Sequence, residues 1–278
     1  MAVMRNNHPL IRRPAVAGYY YPAEPAALRQ AIDAVTATSA PPGLARATVV
    51  PHGSYRHAGR VAGAAWSRVA IPRRCIILGP SHTESWMPWS LMERGAYRTP
   101  LGDVPIDEAC ADALRARAPF LEPDAWTQRG EHAIEVVVPF LQQLGPPDLA
   151  IAPIVMGATA DPDEIAALAT AIAQVVRMHE ERVLLVASSD LSHYEPLTVG
   201  MRQDRELIAA ISRLDGRALI DRVREQGIRM CGAHAVACVL EAARALGSSE
   251  ASLAAYGTSA EAGGDPSSVI GYAGLIIE

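Results

Sequence analysis

The sequence predicts an α/β fold: one domain with a central, mainly mixed sheet flanked by helices. Apolar runs typical of buried strands alternate with segments of helical periodicity from one end of the chain to the other. Half of the 278 residues are hydrophobic, which is enough for a large core, and no linker rich in glycine, serine or charge divides them. We therefore predict a single domain over residues 1–278, with residues 1–13 forming a flexible N-terminal arm.

Apolar runs bounded by turn-forming residues predict the strands. These runs cover residues 47–50, 75–78, 149–156, 182–187, 253–256 and 269–277. Apolar residues spaced three or four apart predict the helices. These segments cover residues 24–35, 58–69, 104–118, 131–144, 162–178, 202–214, 216–226 and 231–246. Pro139 lies inside the segment 131–144, where it should kink the helix or end its first part.

Composition and charge argue against several classes of protein. A net charge of -5 and a pI near 5.9 disfavour nucleic acid or an anionic membrane as the main partner. The first 13 residues lack the apolar core of a secretory signal, and no apolar run is long enough to cross a bilayer. The four cysteines lack CxxC spacing, and motifs for nucleotide binding, serine hydrolases and helical zinc peptidases are absent from the sequence. We predict a cytoplasmic protein without a nucleic-acid or membrane partner.

Histidines follow two of the predicted strands within a few residues. His52 comes shortly after the strand 47–50, and His82 comes shortly after the strand 75–78. A third strand leads to Asp190 and His193 in the same way. Because ligands of open α/β sheets sit at the carboxyl ends of the strands, metal-assisted chemistry is the first hypothesis.

Cys231 is a candidate third metal ligand. It lies at the start of the last predicted helix, where the helix dipole favours the thiolate that binds metal ions. His234, three residues further on, could be another ligand, or it could donate a hydrogen bond to a ligand. Cys231 could instead be a small buried hydrophobic residue, which is the commonest place of a free cysteine.

Two polar clusters could supply acid and base groups. In a predicted helix, Glu135 lies four residues after Glu131 and three after His132, so these side chains would share neighbouring surface. Asp190 could orient the imidazole of His193, which would then be a good general base. His132 could equally cap or pack its helix, and Asp190 could cap a turn.

At these segments the chain resembles the Memo family, the "AmmeMemoRadiSam system protein B" group of bacteria and archaea. Each matching motif is weak alone, but the series follows the family's order over nearly the whole chain. The stretches are RPAVAG at 13–18 with YYP at 20–22, PHGSY at 51–55, LGPSH at 78–82, YRTPLG at 97–102, EHAIE at 131–135, SSDLSH at 188–193 and CGAH at 231–234.

The resemblance implies a fold like the catalytic subunit of class III extradiol dioxygenases, which use non-haem iron(II) to open catechol rings. In those enzymes two histidines and a glutamate hold the iron. His52 and His82 match the two histidines, and Cys231 stands where the glutamate would be. A thiolate is softer than a carboxylate and shifts the preference of a site towards copper(I) or zinc. We therefore expect iron(II) or copper(I), with zinc possible in a purified sample.

The same resemblance implies roles for four further residues. His193 matches the acid/base histidine of the dioxygenases, and Asp190 matches its neighbour. Glu131 and His132 match a polar pair that lines the pocket. In this scheme His193 takes a proton from the substrate, Asp190 orients His193, and His132 polarises a bound group.

Two functions remain open at this point. The first is a metal-dependent, dioxygenase-like oxidoreductase that binds an aromatic or chelating small molecule together with O₂. The second is a non-catalytic protein that uses the same pocket to bind a metal or a peptide, as a signalling or scaffold protein. The Asp190–His193 pair favours the enzyme, because holding a metal does not need a general base. The family resemblance also leaves a radical-SAM partner and a homo-oligomer open.

Overall fold

The computed structural model describes residues 10–36, 41–83, 88–157 and 161–278. In chain order these residues form helices α1 (Pro25–Thr36), α2 (Tyr55–Trp66), α3 (Glu108–Arg117), α4 (Val138–Leu144), α5 (Pro162–Met178), α6 (Leu197–Ser212), α7 (Gly216–Gln226) and α8 (Ala233–Ala245). The strands are β1 (Ile11–Arg12), β2 (Ala47–Val50), β3 (Arg74–Pro80), β4 (Trp89–Leu91), β5 (Ala96–Thr99), β6 (Gly102–Pro105), β7 (Glu122–Pro123), β8 (Ala150–Met156), β9 (Val183–Ser188), β10 (His193–Glu195), β11 (Ala251–Thr258) and β12 (Val269–Ile277).

The larger sheet is mixed, with a parallel centre. Its spatial order is β10–β12–β2–β9–β3–β8–β4–β7, and β11 pairs with β12 outside this path. Strands β2, β9, β3 and β8 are parallel to one another, whereas β12 runs antiparallel to β2 and β4 runs antiparallel to β8. Strands β1, β5 and β6 form a separate small sheet. The predicted α/β class, with a mixed sheet flanked by helices, is confirmed.

Both faces of the central strands are covered by helices. Along β3, Ile76 and Leu78 face a core shared with α5 and α8, whereas Cys75 and Ile77 face a core shared with α1, α2 and α4. Strands buried on both faces read as continuous apolar runs rather than as alternating patterns, which is why these strands were visible in the sequence. Each large aliphatic side chain buried in this way contributes roughly 1.5–3 kcal/mol.

The parallel register places the ends of three strands side by side. Val50, the last residue of β2, pairs with Ser188, the last residue of β9, and β3 lies on the other side of β9. His52, Asp190 and His82 each lie two residues beyond the end of one of these strands. This common offset brings their side chains to one edge of the sheet.

Several predicted elements have the observed bounds. The strands at 47–50 and 269–277 and the helices at 162–178 and 216–226 are confirmed residue for residue. The sequence analysis missed β1, β4, β5, β6, β7 and β10, which are too short to show a periodic pattern. No helix in the described part of the chain is long and apolar enough to span a membrane.

The helix predicted over 131–144 is wrong in its first half. Helix α4 begins only at Val138, and Pro139 lies in its first turn, where a missing N–H is tolerated. The preceding residues form turns, because Glu131 and Glu135 bind separate parts of the molecule. The shared helical surface predicted for these two glutamates therefore does not exist.

The helix predicted over 104–118 begins four residues later than predicted, because the residues before it form a strand. Residues 102–105 form β6, which pairs with β5, and the helix starts at Glu108. Asp107 caps it by accepting a hydrogen bond from the backbone N–H of Cys110 at 3.1 Å.

The predicted flexible arm is wrong at its C-terminal end. Ile11 and Arg12 form β1, which pairs with β5. Arg12 is buried because its guanidinium binds the carboxylate of Glu135, a partner 123 residues away that no local pattern indicates. Residues 1–9 of the predicted arm lie outside the described residues.

Candidate metal centre

Three histidine side chains meet at the carboxyl edge of the sheet. One ring nitrogen from each of His52, His82 and His132 lies within 4.8 Å of the other two. The ring centroids are 5.1 Å apart for His52 and His82, 5.4 Å for His52 and His132, and 4.4 Å for His82 and His132. Three imidazole nitrogens converging on one point form a candidate metal centre.

His52 has its outer ring nitrogen fixed by a hydrogen-bond chain. Its Nδ1 lies 2.8 Å from the hydroxyl of Ser188, and that hydroxyl donates to the carbonyl of Ala133 at 2.6 Å. Because the hydroxyl proton is already used, Ser188 accepts from Nδ1–H, and Nε2 keeps its lone pair. Burial and the nearby His82 lower the pKa of His52 to about 3, so the imidazole is neutral. A neutral imidazole with its other nitrogen tied to an acceptor is typical of a metal ligand.

His82 is held by the buried carboxylate of Glu131. Its Nδ1 lies 2.9 Å from Oε1 of Glu131, and its backbone N–H donates to the other oxygen. Burial by itself would raise the pKa of Glu131, but the hydrogen bonds and charge of His82 lower it to about 2. Burial likewise opposes protonation of His82, but Glu131 raises its pKa overall. This carboxylate–histidine pair leaves Nε2 of His82 for a ligand.

His132 lies in the pocket, as the family resemblance implies, but among the potential metal ligands. We predicted that it polarises a substrate group, and the structure places it among the potential ligand nitrogens. Its Nδ1 is 3.4 Å from Oε1 of Glu131, and its ring lies 4.8 Å from the ring of Tyr20. Burial and the neighbouring His52 lower the pKa of His132 to about 4, which keeps it neutral. No sequence signal distinguished a ligand from a pocket-lining histidine here.

Cys231 contacts the histidine group through His52. Its Sγ lies 3.3 Å from Nε2 of His52, just before the N-cap Gly232 of α8. A sulfur and a nitrogen bound to one tetrahedral ion would be about 3.5 Å apart, so these two atoms can share a metal. The set of mutually close ligand atoms nevertheless consists of the three nitrogens and does not include the sulfur.

The thiolate expected at Cys231 is not the form that the surroundings favour. Burial, followed by the carboxylate of Asp190, raises the pKa of Cys231 well above its ordinary value. A helix N-terminus contributes only about 0.3–1 kcal/mol, which is less than the cost of burying an unpaired thiolate. Since Nε2 of His52 carries a lone pair, the thiol donates a hydrogen bond to that nitrogen and stays protonated.

Asp190 and His193 do not form the predicted orienting pair. Asp190 accepts hydrogen bonds from the backbone N–H of His52 at 2.9 Å and of the next residue at 3.1 Å. The Nδ1 of His193 instead lies 2.9 Å from the carbonyls of Leu191 and Arg229. Asp190 thus fixes the turn that carries His52. The two residues meet because they follow the adjacent parallel strands β9 and β2. The two carbonyls orient His193 and leave its Nε2 as a base.

His234 lies near Cys231 but is not one of the three grouped histidines. The two residues line a small cavity of about 40 Å³, together with Ser81 and Met156. Burial lowers the pKa of His234, so it is neutral in this position. The structure does not bring it into the group of three histidines.

Aromatic residues surround the centre. Tyr20 packs on His132, and buried Tyr272 lies against Gly53, where a Cβ atom would come within 2.8 Å of its ring. Tyr194, next to His193, is 62% exposed and has a φ of 62°. A non-glycine residue in the left-handed region is uncommon and is often found at functional sites. Sequence reasoning missed these three tyrosines and Ser188, although Tyr20 belongs to one of the family motifs.

Known proteins are similar to this chain along nearly its whole length. A family model described as "Memo-like protein" matches residues 12–276. A MEMO1 family protein from Methanopyrus kandleri is 34% identical over 278 residues, covering 95% of this chain and 98% of that protein. One from Methanothermobacter thermautotrophicus is also 34% identical over 278 residues, covering 96% of this chain and 100% of that protein. A crystal structure of an uncharacterised protein from Escherichia coli K12 has a TM-score of 0.54 at 15% identity, covers 84% of this chain and 100% of that chain, and shows likeness of fold alone.

Proposed function

The chain belongs to the family of Memo-like proteins, and from that premise we propose that it is a metal-dependent oxidoreductase acting on an aromatic or chelating small molecule. The observation that carries the proposal is the convergence of three imidazole nitrogens within 4.8 Å of one another. Two of these rings have their other nitrogen tied to a hydrogen-bond partner, which is the arrangement of ligands prepared for a cation.

The donor set fits a first-row transition metal ion. We assign His52 and His82 as two ligands and Cys231 as the third, as the family resemblance implies. His132 is the alternative third ligand, because its nitrogen belongs to the close group and the sulfur does not. Imidazole suits iron, copper and zinc alike, whereas thiolate favours copper(I) and zinc. Iron(II) or copper(I) is therefore the proposed ion if His132 binds it, and copper(I), or zinc in a purified sample, if Cys231 does.

A redox-active ion at this position would transfer electrons to O₂ and polarise the oxygen atoms of a chelating substrate, as in dioxygenase-like chemistry. The protein would supply the proton transfers and the orientation. Nε2 of His193 would accept a proton from a substrate hydroxyl, because Nδ1 is fixed by two carbonyls. His132 would polarise a bound group, and Glu131 would hold His82 in place.

The proposal is tested by metal content and oxygen uptake. The protein is purified anaerobically, its metals are measured by mass spectrometry, and oxygen consumption is followed with a panel of catechols. His52→Ala should lose most of the bound metal, whereas His179→Ala, at the C-terminus of α5 and far from the site, should retain it. Full metal content in His52→Ala would show that the ligand assignment is wrong.

A second candidate function is metal or peptide binding without turnover. The observation that favours it is the position of Asp190, which binds the backbone of His52 and does not orient His193 as a general base. Stoichiometric metal without oxygen uptake on any catechol would support this candidate. Uptake that depends on His193 would exclude it.

A further inference from the structure

The buried guanidinium of Arg12 holds the segment 128–135 at three separate points. Its Nε donates to the carbonyl oxygen of Gln128 at 2.9 Å, Nη2 donates to the carbonyl oxygen of Glu131, and Nη1 donates to the carboxylate of Glu135. Arginine carries its five N–H donors in one rigid plane. Three contacts to one such group fix the positions of their acceptors relative to one another.

The segment held in this way has little regular structure of its own. Residues 130–137 form bends and turns, and α4 begins only after them. The backbone of such a segment takes its hydrogen-bond partners from elsewhere in the chain. Arg12 can supply them because β1 pairs with β5, which places Arg12 beside Tyr97. The guanidinium carbon lies 5.0 Å from the centre of the Tyr97 ring, so the arginine is itself held in place.

Residues 131–133 of this segment reach each of the three histidines. The first residue supplies the carboxylate that holds the ring and the backbone N–H of His82. The second is His132 itself. The third accepts, through its carbonyl oxygen, a hydrogen bond of 2.6 Å from Ser188, whose hydroxyl lies 2.8 Å from Nδ1 of His52. A displacement of this segment would therefore move all three ring nitrogens relative to one another.

We propose that Arg12 is a positioning residue of the metal centre, because it fixes the path of the segment that orients all three histidines. The inference rests on the proposed function, since it assumes that these histidines bind a metal ion. Arg12 does not belong to the group of potential ligands and acts through residues 131–133. Partners that lie behind metal ligands commonly change metal affinity by about 10–100-fold.

Arg12→Lys separates the charge from the positioning. The ammonium group can still pair with Glu135, but it is a point charge and cannot reach three acceptors arranged around a planar fork. We expect the zinc affinity, measured by competition with a chelator of known strength, to fall about 10–100-fold in this variant. The visible absorption of the cobalt(II)-loaded protein should also change, since it depends on the arrangement of the ligands around the ion.

Leu114→Ala is the control for a loss of stability alone. Leu114 is buried in α3, in a core shared with α5, and α3 contributes none of the residues of the candidate centre. The cavity left by this change destabilises the protein away from the site. The variant should keep the zinc affinity and the cobalt(II) spectrum of the unaltered protein. An equal loss of affinity in Leu114→Ala would show that metal binding merely follows stability, and would overturn the inference.

A double variant, Arg12→Met with Glu135→Gln, provides the test if Arg12→Lys does not fold. It removes the arginine without leaving a buried charge unpaired, and it should fold and bind zinc more weakly by about 10–100-fold. Unaltered affinity and spectrum in a folded Arg12 variant would overturn the inference alone. Failure of both variants to fold would also overturn it, because the arginine would then serve the fold as a whole. If the unaltered protein binds no zinc, the proposed function and the inference fail together.

Discussion

Arg12 and Glu135 form an ion pair in which the two side chains are 1% and 0% exposed. The carboxylate also accepts hydrogen bonds from the backbone N–H groups of Ala15 and Val16 and from the hydroxyl of Tyr21. The guanidinium donates in addition to the carbonyl oxygen of Glu131. This pair therefore joins the N-terminal segment to the turn that carries two residues of the candidate site.

Removing one partner of this pair should be strongly destabilising. Arg12→Met leaves the carboxylate of Glu135 buried without a counter-ion, and we expect a loss of about 3–5 kcal/mol in the free energy of unfolding. Chemical denaturation measures the loss. Arg98→Met breaks an exposed pair with Asp103 and should leave the free energy of unfolding nearly unchanged, because exposed ion pairs contribute little. A double variant, Arg12→Met with Glu135→Gln, should cost less than the sum of the two single changes; simple additivity would contradict the coupling.

Loss of the hydroxyl behind His52 should weaken metal binding without removing a ligand. In Ser188→Ala the Nδ1–H of His52 has no acceptor, so the ring is less well oriented and less basic. We expect the metal affinity to fall by about 10–100-fold in competition with a chelator of known strength. Ser252→Ala, at an exposed position of β11, should bind metal like the unaltered protein. Equal metal affinities in the two variants would show that Ser188 does not contribute to metal binding.

Because of the pair of Glu131 and His82, the free energy of unfolding of the metal-free protein should depend on pH in the acid range. The pKa of Glu131 falls from 4.5 to about 2 on folding, so its contribution is complete above about pH 4.5 and is lost as the pH falls through 2. Glu131→Gln should thus lower the free energy of unfolding by on the order of 3 kcal/mol near neutral pH and by much less near about pH 2.

Denaturation of both proteins across this pH range measures the difference. The titration of groups that do not contact Glu131 cancels in the comparison, whereas that of His82 does not, because Glu131 raises its pKa. Glu261→Gln, which removes an exposed carboxylate paired with Arg60, should alter stability by no more than about 1 kcal/mol. A penalty for Glu131→Gln that stays constant with pH would contradict the low pKa of the carboxyl group.

The third metal ligand can be identified by counting protons. Because burial raises the pKa of Cys231, its thiol is protonated near neutral pH and must lose its proton to bind a metal ion. If Cys231 is a ligand, metal affinity should rise with pH more steeply in the unaltered protein than in Cys231→Ser, by about one proton.

Calorimetry in buffers of different ionisation enthalpy gives the number of protons released. Cys238→Ala, which removes a thiol from the core side of α8, serves as the control and should retain the proton count of the unaltered protein. If instead His132→Ala loses the metal and Cys231→Ser keeps both its metal and its proton count, the third ligand is His132.

Local patterns predicted the parts of the site that depend on single strands. The apolar runs ending at Val50 and Leu78 were recognisable because both of their faces are buried. Strands β2 and β3 are both parallel to β9, which lies between them. His52 and His82 therefore come to the same edge, as expected for the carboxyl ends of such strands. The position of His132 was not predictable in this way, since the helical pattern at 131–137 was overridden by the separate partners of Glu131 and Glu135.

The sequence by itself determined the α/β class, the strands of the sheet centre, the family and the histidines that follow two of those strands. Only the tertiary structure decided that His132 joins those histidines, that Asp190 holds the backbone of His52, and that the thiol of Cys231 keeps its proton. The physical reason is that strands and helices follow from residues close together in the chain. Hydrogen-bond partners and pKa values within a buried site depend on residues that are far apart in the chain and meet only after folding.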